Sequence, residues 1–248
     1  MPAVRTVAML YPGHSAEGEF AVLEHRIGGG VRLPVVHTWE GLTEHSVPAL
    51  RALGAQDLLV SAATQARRHH PDAVMWACTS GSFVYGSRGI HEQAGWMARA
   101  AGVPAASTSI AFLEAVRHLG LRRVSVAATY PAEVTRHFTD LLAAADVSVC
   151  AVSSGDVSSG EDAGELGEEQ VTELVLGGGH PSDAEAVLVP DTALHTVGLV
   201  TEWEARLGRP VLTANQVSAW HGLRLAGWQG KASGLGVLFE SWTSGAVG

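Results

Sequence analysis

Residues 78–82 read Cys-Thr-Ser-Gly-Ser and directly follow a short, fully apolar run at 73–77. A cysteine just after a buried strand sits where loop and helix N-terminal amides converge, and such amides stabilise a thiolate and lower its pKa. Thr79, Ser80 and Ser82 add hydroxyl and amide donors suited to a carboxylate. By type alone Cys78 reads equally well as an inert buried thiol in a small-residue turn. A second apolar run, 186–189, ends in Pro190-Asp191-Thr192 and places a carboxylate in the corresponding position. In open α/β sheets, ligands bind beyond the carboxyl ends of the strands. The other cysteine, Cys150, ends a run with no polar cluster beside it and is expected to be a packed core residue.

The elements that must position these residues alternate along the chain. Apolar runs at 4–10, 31–38, 73–77, 104–107, 124–128, 147–152, 186–189 and 210–213 read as strands. Stretches at 46–70, 110–119, 132–145, 194–207 and 217–225 have helical period. The alternation predicts an α/β fold with a mainly parallel sheet in each part. The two halves repeat one organisation: a buried strand, a small-polar turn, a helix, then Gly-Val-Pro at 102–104 or Gly-Arg-Pro at 208–210 and a new strand. We read this as two duplicated α/β lobes. The first is 1–107, completed by 216–248, and the second is 108–215. The segment 153–164 is a loop by composition and a candidate lid.

Composition narrows the function. The chain has 248 residues and a net charge of −9, which argues against nucleic acid as a partner. The acidity is concentrated: between Arg136 and Arg206 there is no Lys or Arg, and the segment reads as a solvated acidic face. The only lysine is Lys231, which leaves little room for Schiff-base chemistry. Two cysteines cannot build a four-cysteine zinc site, and none of the 12 histidines falls in an HExxH or compact Cys/His pattern, so no metal is expected. The triple glycines at 28–30 and 177–179 are not phosphate loops, and no cofactor is expected. No apolar run reaches the length of a membrane span, and the first residues make a poor signal peptide, so the expectation is a cytoplasmic protein without a membrane partner.

The strand and cluster VMWACTSGSFVYG at 74–86 resemble the first cysteine motif of the aspartate/glutamate racemase superfamily, in the branch of maleate cis-trans isomerases and arylmalonate decarboxylases. AVLVPDTALHT at 186–196 resembles that branch's second motif, and GRPVLTANQVSAWHGLRLAG at 208–227 the segment after it. GLGVLFES at 234–241 resembles the decarboxylase tail, and Ala128-Thr-Tyr-Pro131 the turn that carries an active-site tyrosine. The resemblance implies two pseudo-symmetric α/β lobes with the active site in the cleft between them, and cofactor-free chemistry beside a carboxylate, on a small mono- or dicarboxylic acid, in a homo-oligomer, commonly a dimer. It implies Cys78 and Asp191 as catalytic residues, and Pro12, Ser15, Thr79, Ser80, Ser82, Tyr130, Thr192 and Asn215 as substrate-binding residues.

The chain departs from the branch at informative places. Arylmalonate decarboxylases typically carry glycine where Cys78 stands, and a cysteine usually occupies the place of Asp191. Isomerases commonly carry Pro-Ser-Ser-Asn where this chain has Pro12-Gly13-His14-Ser15. The resulting expectation is a maleate isomerase-like enzyme with Cys78 as nucleophile. The alternatives are an arylmalonate-type decarboxylase, then a racemase, or a non-catalytic small-acid binding protein.

Overall fold

A computed structural model describes residues 4–241. The segments 1–3 and 242–248, the latter part of the stretch expected to complete the first lobe, lie outside the described residues. The chain forms two parallel sheets. In the first, β1 (Arg5–Pro12) lies centrally, with β2 (Val31–Arg32) and β3 (Val35–Trp39) on one side and β4 (Ala73–Trp76) then β5 (Ala105–Ser107) on the other. In the second, the order is β7 (Ser148–Ser154), β6 (Arg123–Ala128), β8 (Ala186–Val189) and β9 (Val211–Thr213). Every pairing in both sheets is parallel, so all strands of a sheet point their carboxyl ends the same way. This is the expected two-lobed α/β architecture.

Helices link and cover the strands: α1 (Glu19–Ile27), α2 (Val47–Leu53), α3 (Gln56–Ala66), α4 (Ser80–Phe83), α5 (Gly86–Ala101), α6 (Thr108–His118), α7 (Ala132–Ala143), α8 (Gly160–Gly164), α9 (Glu168–Leu176), α10 (Val200–Leu207), α11 (Ala214–Leu225) and α12 (Val237–Glu240). β4 and β8 are buried along their whole length, as their uninterrupted apolar runs require. α11 follows the last strand of the second sheet but packs on β1 and β4 of the first. The approach is close: a Cβ at Gly222 would lie 2.6 Å from Met75 and 2.7 Å from Val7. An edge-to-face and tilted aromatic chain ties the halves together, running from Tyr130 to Phe83 (5.7 Å between centroids), Phe138 (5.6 Å) and Phe112 (5.3 Å).

Several local expectations are corrected. The single strand at 31–38 is two, because Pro34 has no amide to donate and interrupts the ladder. The single helix at 46–70 breaks at Gly54. There the carbonyl of Gly54 accepts from Gln93 Nε2 at 3.0 Å, and a Cβ would sit 2.4 Å from the carbonyl of Gly81. The helix expected over 194–207 begins only at Val200. Cys150 is half-buried rather than packed in the core: β7 is an edge strand, and Cys150 is the residue bulged out between the pairs Val124↔Val149 and Ser125↔Ala151.

Candidate active site

The carboxyl ends of β1, β3, β4 and β8 converge on one narrow cavity of about 20 Å³. Tyr11, Pro12 and Ser15 line it from the end of β1, Cys78 and Ser80 from β4, and Asp191, Thr192 and Ala193 from β8. Thr43 and His45 enter from the loop after β3, Leu50 and Leu53 from α2, and Gly160 from the start of α8. The cavity thus has an apolar wall on the α2 side and hydroxyls elsewhere. No lysine or arginine lines it, so an anionic substrate would be held by neutral donors.

Cys78 is 3% exposed. The Gly81 amide donates to its Sγ at 3.4 Å, and Ser80 Oγ lies 3.9 Å from the sulfur. These contacts do stabilise a thiolate, as the sequence suggests, but they do not prevail. Burial pushes the thiol up to about 12, the Gly81 and Ser80 contacts oppose it, and the charge of Asp191 adds to the rise. Of the two readings the sequence leaves open, this environment favours the buried thiol over the activated thiolate. Burial is nearly complete and outweighs the amide contribution, which comes from α4, a single short turn. Gly81 is required for this packing: a Cβ there would lie 2.6 Å from the Trp76 ring and 3.2 Å from Sγ.

Asp191 is equally buried, and both its oxygens are engaged. The Thr129 hydroxyl donates to Oδ2, and the Ala193 amide donates to Oδ1 at 2.9 Å. Tyr130 stands behind this wall. Its hydroxyl donates to the Pro190 carbonyl at 3.0 Å, and its ring packs edge-on against His45 at 4.8 Å. Burial raises the Tyr130 hydroxyl well above its ordinary range; the charges of Asp191 and Cys78 add to this, and the hydroxyls of Ser80 and Thr79 oppose it.

The sequence-derived residues thus divide. Pro12, Ser15, Cys78, Ser80, Asp191 and Thr192 meet at the cavity. Thr79, Ser82, Tyr130 and Asn215 lie behind it. Ser82 donates to Ser107 Oγ at 2.7 Å, and the Thr79 carbonyl accepts from Ser109 at 2.9 Å, which fastens the 78–82 turn to β5 and α6. Asn215 Nδ2 donates to the Thr192 carbonyl at 3.0 Å and to Glu19 at 2.9 Å. Glu19, buried at the start of α1, also accepts the amides of Thr196 and Val197 at 2.6 Å each. His221 is buried in α11 and does not line the cavity.

Sequence reasoning missed Tyr11, Thr43, His45 and Gly160. Tyr11 donates to the Thr192 carbonyl at 2.9 Å and hydrogen-bonds Ser15 Oγ at 2.7 Å, joining the two lobes. The segment 153–164 is more ordered than a loop: β7 extends to Ser154 and α8 begins at Gly160. It is latched to the loop after β3. The His45 amide donates to the Ser158 carbonyl (2.7 Å), His45 Nδ1 to the Val157 carbonyl (2.9 Å) and the Gly160 amide to the Thr43 carbonyl (2.9 Å). Glu161 accepts from the Thr43 hydroxyl at 2.9 Å. The strand-end rule that selects Cys78 and Asp191 also covers the loop after β3, and was the available signal for Thr43 and His45.

Two parallel-sheet lobes of this kind are the architecture of the racemase-superfamily branch of maleate isomerases and arylmalonate decarboxylases. The family model described as arylmalonate decarboxylase matches residues 40–239, and the chain belongs to that family. The arylmalonate decarboxylase of Bordetella bronchiseptica is 30% identical over 146 residues, 58% of this chain. That match spans 61% of the length of the curated relative. A liganded arylmalonate decarboxylase double mutant, with a glycine changed to cysteine and a cysteine to serine, superposes with a TM-score of 0.84 at 25% identity. The match covers 96% of this chain and 99% of that one. A cysteine-to-serine mutant of the maleate cis-trans isomerase of Nocardia farcinica, with a covalently bound succinylcysteine intermediate, shares the fold at a TM-score of 0.86 and 20% identity, over 96% and 98% of the chains. Among the described residues no helix is long and apolar enough to cross a membrane.

Proposed function

We propose that this chain is a cofactor-independent decarboxylase of a substituted malonate-type acid, with Cys78 as the proton donor. The observation that carries this reading is the place of Cys78, a buried thiol whose burial pushes it up, at the strand-end cavity shared with Asp191 and the Leu50–Leu53 wall. One carboxylate of the acid lies against Leu50 and Leu53, where a charged group is poorly solvated and neutral carbon dioxide is not. The carbon–carbon bond breaks and its electron pair passes into the remaining carboxylate as an enediolate. Ser15, Ser80 and Thr192 line the cavity, and their hydroxyls donate to that developing charge. Cys78 then delivers its proton to the α-carbon, and the thiolate regains a proton from solvent. The liganded decarboxylase mutant, which carries a cysteine for a glycine, supports the reading that this fold accommodates a thiol there with a ligand bound.

The isomerase is the second reading. It is favoured by a cysteine where isomerases of the branch place their nucleophile, and by the succinylcysteine of the Nocardia farcinica enzyme. It requires a thiolate that adds to a double bond, which the protonated thiol disfavours. The test is carbon dioxide release from a panel of aryl- and alkyl-substituted malonates, run beside maleate. We expect release, one deuteron at the α-carbon in heavy water, and a loss of about 10²–10⁴-fold in Cys78→Ala. Conversion of maleate to fumarate with every malonate inert would replace this reading with the isomerase.

A further inference from the structure

Outside the cavity, the fold assembles a group that the sequence keeps apart. His14 and Glu17 lie in the turn between β1 and α1, and His37 lies on β3 beside it. Glu17 Oε1 is 3.2 Å from His14 Nδ1 and 3.5 Å from His37 Nε2, and the three atoms lie within 4.8 Å of one another. A divalent ion held tetrahedrally at about 2.0–2.1 Å sets its ligand atoms roughly 3.3 Å apart, and both contacts to Glu17 fall near that edge. The two imidazole rings lie 4.2 Å apart between centroids, tilted by 36°.

The surroundings match what a metal requires beyond its ligands. The other nitrogen of His14, Nε2, lies 3.5 Å from Glu40 Oε2, the carboxylate–histidine pairing that orients a metal-binding imidazole. The other oxygen of Glu17 accepts the Ser15 amide at 2.8 Å, so the ligand carboxylate is also held. His37 Nε2 is buried and has no hydrogen-bond partner of good geometry. An open depression lined by His37, Trp39, Glu40 and Gln65 supplies a way in.

We infer that His14, Glu17 and His37 form a binding site for a zinc-class divalent cation, which clamps β3 to the turn that carries Ser15 into the cavity wall. The donor set, two imidazoles and one carboxylate with a fourth position left for water, suits zinc, nickel or cobalt rather than magnesium or calcium. The absence of a metal motif in the sequence follows from the distance along the chain between His14 and His37.

The test is calorimetric titration of the chelator-stripped full chain with zinc chloride near neutral pH, with magnesium chloride as the control. We expect one zinc ion per chain with a Kd below about 10 µM, a raised melting temperature and no response to magnesium. Loss of an outer partner typically weakens a metal about 10–100-fold, so His14→Ala and His37→Ala should each cost at least about tenfold. His14 is exposed, so its variant tests the site even if His37→Ala fails to fold. Zinc binding weaker than about 100 µM in the unaltered chain, or wild-type affinity in His14→Ala, would overturn the assignment.

Discussion

The protonation state of Cys78 decides between the two chemistries, and it has a direct kinetic signature. An ordinary thiol at 9.0 is about one-tenth thiolate at pH 8, whereas one at about 12 is roughly 10⁻⁴ thiolate. That thousandfold deficit is offset in part, because a more basic thiolate is a better nucleophile, by about 15–30-fold at a Brønsted slope of 0.4–0.5. Cys78 should therefore react with a small thiosulfonate reagent roughly 30–60-fold more slowly than an unfolded reference cysteine at pH 8. Burial also slows entry, but entry does not depend on pH. The discriminating quantity is thus the profile, read site by site in a Cys150→Ser background by intact mass. A thiol at 9.0 stops accelerating by about pH 10; Cys78 should still be gaining about tenfold per pH unit there. Asp191→Asn, which removes a charge that raises the thiol, should move the inflection downward. A profile that levels at or below pH 9 would refute the argument and restore the activated thiolate that residues 78–82 suggest.

The same shift predicts alkaline weakening. The folded thiol titrates above the unfolded one, so its contribution is intact below about pH 9 and is lost as pH rises toward 12, to a limit of about 4 kcal/mol in urea unfolding. At the acid end, burial pushes His221 down to about 4 from 6.5, with Glu114 opposing and Arg224 and Arg117 adding. Its contribution of about 3 kcal/mol is present above pH 6.5 and is lost as pH falls through about 4. A His221→Phe variant should flatten that part of the stability profile. Glu19→Gln replaces an acceptor of four contacts with an amide that turns a donor toward Asn215 or the 196–197 amides. It should cost about 2–3 kcal/mol in urea unfolding and raise KM, because Asn215 also holds the Thr192 carbonyl.

What was legible in the sequence was what composition along a strand encodes. The runs at 73–77 and 186–189 are apolar at every position, which only a strand covered on both faces explains, and their ends mark Cys78 and Asp191. The repeated strand-turn-helix order gave the two lobes. What was not legible depends on distances between segments. The break at Gly54 follows from the approach of Gly81 and Gln93, neither of which a helical period reports. The roles of Thr43, His45 and Gly160 arise from contacts more than a hundred residues away in sequence. The thiol's state was left open because helix-end amides are visible in a sequence pattern, whereas the degree of burial that opposes them is not.

The asymmetry of the site bears on the stereochemical course. On the proposed reading, an enediolate between the lobes meets a protonated thiol on one side and Asp191 on the other. Both oxygens of Asp191 already accept hydrogen bonds, from Thr129 and Ala193, so that side presents acceptors rather than a proton. Protonation then proceeds from the Cys78 side alone, and a single product enantiomer follows. The same geometry disfavours racemisation, which must remove a proton from one face and deliver one to the other with groups of matched acidity. A thiol pushed up by burial beside a carboxylate fixed by two donors is mismatched in that sense. On that reading proton delivery is left to the lobe of Cys78, whose burial raises the thiol with a further contribution from Asp191 in the other lobe.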